Sequence, residues 1–169
     1  MERWDEMLKS GKQIPGFGSV DAHVKIRFLN FIPENYLMSF QSVTLYVPAK
    51  DKSEKEIIEA LAHGKSFIAF EVFGLADEFS FSVQKQNKTY GPGEVLSLES
   101  PVQLTVKSPK PAHIKLIHNG AIASENDGEV LTYNVKGPGF YRAEIYLENR
   151  LWIISNPIYV SPESGSGDH

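Results

Sequence analysis

Asp21 and His23 are the two residues whose types and spacing best suit chemistry. In an extended strand, residues two apart project to the same face, so a carboxylate and an imidazole can meet one ion. That pair suits Zn, Mn or Fe rather than an ion that prefers oxygen alone. It follows the run Gly16-Phe17-Gly18, whose glycines let the backbone turn tightly and leave room above the strand end. A working metal site needs three or more protein ligands, and an aspartate in such a turn can equally serve as an acceptor for backbone N–H groups. The other histidines do not complete the set. His63 sits at the end of a helical pattern, where the macrodipole favours a cation. His113 and His118 are five apart and face opposite sides of one strand, and His169 lies in a polar tail. No catalytic residue is assigned. The pattern G-x-S-x-G is absent. The glycine-rich stretches "YGPG" and "GPG" lack the following Lys-Ser/Thr of a phosphate loop and read as turns.

The elements that must position this pair change texture along the chain. Trp4, Met7 and Leu8 recur at helical spacing, and Gly11 closes that helix. "SVTLYV" (42–47) alternates like a strand. Ser53 and Glu56 form a capping box for a helix over 53–63 with the stripe Ile57, Ile58, Leu61 and Ala62, and Gly64 stands at its C-cap. "SFIAFEVFG" (66–74) is a further strand. Strand, helix, strand in this order predicts a βαβ-like unit with parallel pairing. Beyond residue 77, seven short strand patterns (78–84, 94–100, 102–108, 113–119, 130–135, 141–148 and 152–160) are separated by Gly, Pro and Asn breakers. Such spacing predicts an immunoglobulin-like antiparallel β-sandwich. Tyr141 after a Gly-Pro-Gly run matches a tyrosine corner, and its neighbour Arg142 reads as an exposed partner for a carboxylate. The aromatic residues, Phe79, Phe81, Phe140 and Trp152 among them, read as sandwich core before they read as a sugar-binding face.

Bulk properties narrow the class. The chain has 169 residues, 41% of them hydrophobic and 22% charged, which predicts a packed core. Its net charge of −4 argues against a nucleic-acid binder. Without cysteine there are no disulfides, thiolate ligands or thiol nucleophiles. No apolar run approaches the length of a membrane span, and "MERWDEMLKSGK" lacks the apolar core of a signal peptide. The compartment is therefore not legible.

"RWDEMLKSGKQIPGFGSVDAH" resembles the closing motif of the PHP family of metal-dependent phosphoesterases. The resemblance rests on Trp4, Asp5, Leu8, Gly11, Lys12, Gly16, Gly18, Asp21, Ala22 and His23, with Val20 standing where the family usually has Ser or Asn. "SVTLYVPAKDKSEKEIIEALAHGKSFIAF" is similar to the strand and helix that end many such domains. "YNVKGPGFYRAEIYLENRLWIISNPIYV" looks like the sandwich appended to the CehA/McbA-like branch. The resemblance implies an α+β chain, with residues 1–76 as the C-terminal part of a PHP-type α/β barrel and 77–162 as the sandwich; the polar, apolar-free composition of 163–169 predicts a disordered tail. It implies that Asp21 and His23 are metal ligands, with a divalent transition metal (Zn, Mn or Fe) as cofactor of the complete protein and a small phosphoester or related ester as substrate. The family's remaining ligands lie upstream of this motif and have no counterpart here. The chain alone is therefore expected to be an incomplete, inactive hydrolase part, open to self-association through an exposed barrel edge. The rival expectation is a non-catalytic binding or accessory module for a carbohydrate or protein ligand.

Overall fold

The computed structural model describes residues 1–20, 42–98 and 102–162. In chain order its elements are α1 (Glu2–Lys9), β1 (Thr44–Tyr46), α2 (Glu54–Ala62), β2 (Phe67–Ala69), a 3-10 turn (Glu71–Phe73), β3 (Ser80–Lys85), β4 (Lys88–Tyr90) and β5 (Val95–Ser97). The long strands follow: β6 (Gln103–His118), β7 (Ala121–Asn134), β8 (Gly139–Leu147), β9 (Arg150–Ser155) and β10 (Ile158–Ser161). Strands hold 49% and helices 15% of these residues, in one curled, largely antiparallel sheet shaped like a half-barrel. Its main path runs β1-β2-β9-β8-β6-β3-β4, with β7 on β6 and β10 bridging β8 to β5.

This architecture corrects the expected fold class, an α/β-barrel piece followed by a separate sandwich. β1 and β2 do flank a helix, but they pair antiparallel, Thr44 opposite Ala69 and Tyr46 opposite Phe67. β2 continues antiparallel onto β9, Phe67 opposite Ser155. A parallel crossover needs a helix that lies on the sheet by its apolar stripe. In α2 only Ala60 is buried, and Ile58 is 57% exposed. The expected seven short strands of two packed sheets are likewise replaced by one continuous sheet in which β6, β7 and β8 are long. β6 runs straight through "SPKP", where its register with β7 breaks between Lys107 and Ala112. Before that break it pairs with β3, after it with β8. The prolines bend the strand at an irregularity, where their missing N–H groups cost little, and the sheet curls instead of splitting in two.

Local signals hold where they depend on neighbours in sequence. Ser53 caps α2, its Oγ accepting from Glu56 N at 3.4 Å, while its own N–H donates to Asp51 Oδ1 at 2.8 Å instead of to Glu56, so half of the expected capping box forms. At the other end Lys65 N donates to Ala60 O and Gly64 N to Leu61 O, a Schellman closure that needs the left-handed φ of +68° at Gly64. The Tyr141 hydroxyl donates to Gly137 O at 3.0 Å, the hydrogen bond of a tyrosine corner. Tyr141, Trp152, Leu104, Ile114, Leu116, Ile145 and Ile158 are buried together in the hydrophobic core.

Candidate functional site

Asp21 and His23 fall outside the described residues. What is described is the segment that leads to them, residues 1–20, and how it is fastened. α1 puts Asp5 and Leu8 on its buried face, one turn apart. Asp5 takes two parallel hydrogen bonds from Arg142 of β8, Oδ1 from Nε at 2.9 Å and Oδ2 from Nη2 at 2.8 Å. The same guanidinium donates through Nη1 to Glu144, and the Tyr146 hydroxyl donates to the second Glu144 oxygen at 2.7 Å. Arg142 is 2% exposed, which corrects its reading as a surface residue. Burial by itself would lower its pKa, but the hydrogen bonds and charges of Asp5 and Glu144 outweigh that and hold it above its ordinary value. The Tyr146 phenol is pushed up to about 12, first by burial and then by the hydrogen bond to Glu144. The Trp4 ring covers the guanidinium with its centroid 5.5 Å away, and its indole N–H donates to Ile14 O at 2.9 Å.

A second fastening lies closer in sequence to the Asp-x-His pair. Asn156, which follows β9, accepts from Gly16 N at 2.6 Å and donates from Nδ2 to Gly16 O at 3.1 Å, so its one amide grips Gly16 on both sides. It also donates to Ser66 Oγ at 2.9 Å. Gly18 lies so close to the sheet that a Cβ there would come 2.6 Å from Ile68 and 2.7 Å from Val43. The glycines of "GFG" thus let the backbone approach the side chains of Trp4 and Asn156 at Gly16 and of Val43 and Ile68 at Gly18. Ser155 contributes beside this clamp, its Oγ accepting from Ala143 N at 2.8 Å.

The other sequence candidates have structural surroundings. His63 caps α2, with Nδ1 2.7 Å from Glu59 O. His113 sits between two carboxylates of β7, Nδ1 2.8 Å from Asp127 and Nε2 3.6 Å from Glu125. His118 stacks on the Tyr141 ring at 4.1 Å and meets Pro138 O at 3.1 Å through Nε2. Among the described residues no cluster of three His, Cys, Asp or Glu could hold a metal ion, and no helix is long and apolar enough to cross a membrane. Phe79, Phe81, Phe140, Tyr141 and Trp152 are all buried, while Tyr133 and Tyr146, which the same reading places in the core, are half-buried. Sequence reasoning paired Arg142 with a carboxylate but identified neither Asp5 and Glu144 nor the burial of the network, and it missed Asn156. Both join residues 137 or more positions apart, and only the bare presence of Asp5 near Trp4 and of Asn156 in "ISNP" hinted at them. No family model, curated protein or solved structure matches this chain.

Proposed function

We propose that this chain is the C-terminal, ligand-contributing part of a metal-dependent phosphoester hydrolase, in which Asp21 and His23 supply two ligands and the curled sheet is the scaffold behind them. One observation supports this reading. Trp4, Asp5, Leu8, Gly16 and Gly18, which the PHP resemblance selects ahead of the Asp-x-His pair, are the residues by which segment 1–20 is held to the sheet. Asn156, in the other similar stretch, is what grips Gly16 five residues before Asp21. Rigid support behind the ligands is what a metal centre requires of its scaffold. When bound, the metal would activate a water and polarise the phosphoryl group. Two ligands fall short of the three or more of a working site, so the chain alone binds metal weakly and turns over little substrate.

The test is a titration of the purified chain with Zn²⁺ and with Mn²⁺ by calorimetry, beside the D21A/H23A double variant. One saturable site per chain that the double variant lacks is the expected result. Identical binding curves for the two proteins would overturn the reading.

A further inference from the structure

A groove of about 590 Å³ lies between the C-terminal end of α1 and the β5–β10–β8 layer, within the range of about 300–1,000 Å³ typical of small-molecule sites. Its apolar lining comes from Leu8, Val95, Phe140 and Val160. Val95 keeps 48% of its surface in solvent here, a large apolar side chain left without cover. The polar lining is Lys9, Gln13, Asn119 and Tyr159.

The charge of this lining is opposite to that of the molecule. The chain carries a net charge of −4, yet among the described residues no carboxylate lines the groove and Lys9 is its one charged residue. Lys9 is exposed and joins no ion pair among the described residues. Asn119 is already committed, its Oδ1 accepting from Phe140 N at 3.1 Å, and it stiffens the rim. Tyr159 is not committed. Its phenol is half-buried with no hydrogen bond among the described residues, and burial alone pushes it up to about 12. At neutral pH it therefore keeps a proton to donate.

We infer that this groove binds a small organic anion with an apolar body, the carboxylate taking its countercharge from Lys9 and an O–H from Tyr159, the hydrocarbon lying on Leu8, Val95, Phe140 and Val160. An ammonium and a phenol lining one groove match the two oxygens of a carboxylate, and charge-assisted bonds of this kind are the stronger ones. The inference is independent of the metal reading, because its argument uses neither Asp21 nor His23.

The experiment is a two-dimensional amide NMR titration of the full chain with 4-phenylbutyrate, 4-phenylbutyramide and 4-phenylbutylamine. For an open site and a ligand of this size the acid should bind with a Kd on the order of 1 mM. Its saturable shifts should centre on Lys9, Phe140, Tyr159 and Val160. The amide should bind about fivefold or more weakly, and the amine should give no saturable shift there. Lys9→Gln, on an exposed side chain, and Tyr159→Phe should each weaken the acid about three- to tenfold and leave the amide unchanged. Equal shifts from all three probes, no saturable shift from the acid, or full affinity for it in Lys9→Gln would overturn the inference.

Discussion

Helix α1 is short and dense in charge, yet it is the helix bound tightly to the sheet. Helix α2 is the richer in apolar residues, yet it carries Ile58 in solvent. The first is held by a long-range polar lock, Asp5–Arg142–Glu144, with Leu8 buried beside it. The second is held by its own ends, the Ser53 cap and the Schellman closure at Gly64. Periodicity tells which face of a helix is apolar. It does not tell whether anything covers that face. The two helices therefore should respond to substitution in opposite ways.

The largest effect is expected at the lock. Arg142→Met leaves the Asp5 and Glu144 carboxylates buried without their cation, and breaking one side of a buried pair costs about 3–5 kcal/mol. Urea unfolding should show that loss. In Asp5→Asn/Arg142→Met the two changes should cost less than their sum, because both strike one interaction. A loss at Arg142 no larger than that of an ordinary surface substitution would erase the contrast between the helices.

Asn156→Ala comes next. It strips the amide from Gly16 N, Gly16 O and Ser66 in a site where Asn156 is 2% exposed, and a buried group left unsatisfied costs about 1–3 kcal/mol. Hydrogen exchange should rise over residues 13–20 while β6 and β8 keep their protection. Uniform loss across the sheet would mean that the clamp supports the whole fold and not this segment.

The comparison also sorts what the sequence carried from what it hid. The span of α1, both caps of α2 and the tyrosine corner were legible, because each depends on residues within about one turn of the chain. The aromatic core was legible from composition. The antiparallel pairing of β1 with β2 was not, since strand–helix–strand order fixes sequence and leaves direction to where the helix packs. The continuity of β6 was hidden by Pro109 and Pro111, which read as a break and in fact mark a bend. The first half of β7 was missed too, although Asn119 and Gly120, both with positive φ, form the hairpin signal that precedes it. Of the candidate site, the residue types of segment 1–20 were visible and their partners were not. Arg142 and Asn156 meet it only through the tertiary fold.

A smaller effect separates the lock from its surroundings through pH. The Tyr146 and Tyr159 phenols titrate near 12 in the folded chain, against an ordinary value of 10.0. The unfolded chain thus gives up these protons first, and stability is fully present below pH 10 and falls as pH rises from 10 toward 12. Tyr146→Phe should flatten part of that decline, read as urea midpoints across the range. An unchanged slope would place the tyrosine contribution elsewhere.

The smallest effect is expected at Ile58, and it is the sharper test of the contrast because it predicts almost nothing. The side chain is 57% exposed and projects from a helix whose only buried residue is Ala60. Replacing it with Lys removes little buried area and places a cation on a surface shared with Glu54, Lys55 and Glu59. Exposed substitutions of this kind change stability by about ±0.5 kcal/mol, and lysine is a better helix former than isoleucine. Ile58→Lys should therefore leave the urea midpoint where it was. A loss near that of Arg142→Met would mean that something covers this face in solution, and a second copy of the chain is the first thing to look for. Sedimentation of wild type and variant would then show a dimer that the lysine dissolves. With the midpoint unchanged and both proteins sedimenting alike, α2 is a helix made by its caps, and the sheet would hold its shape without that apolar stripe.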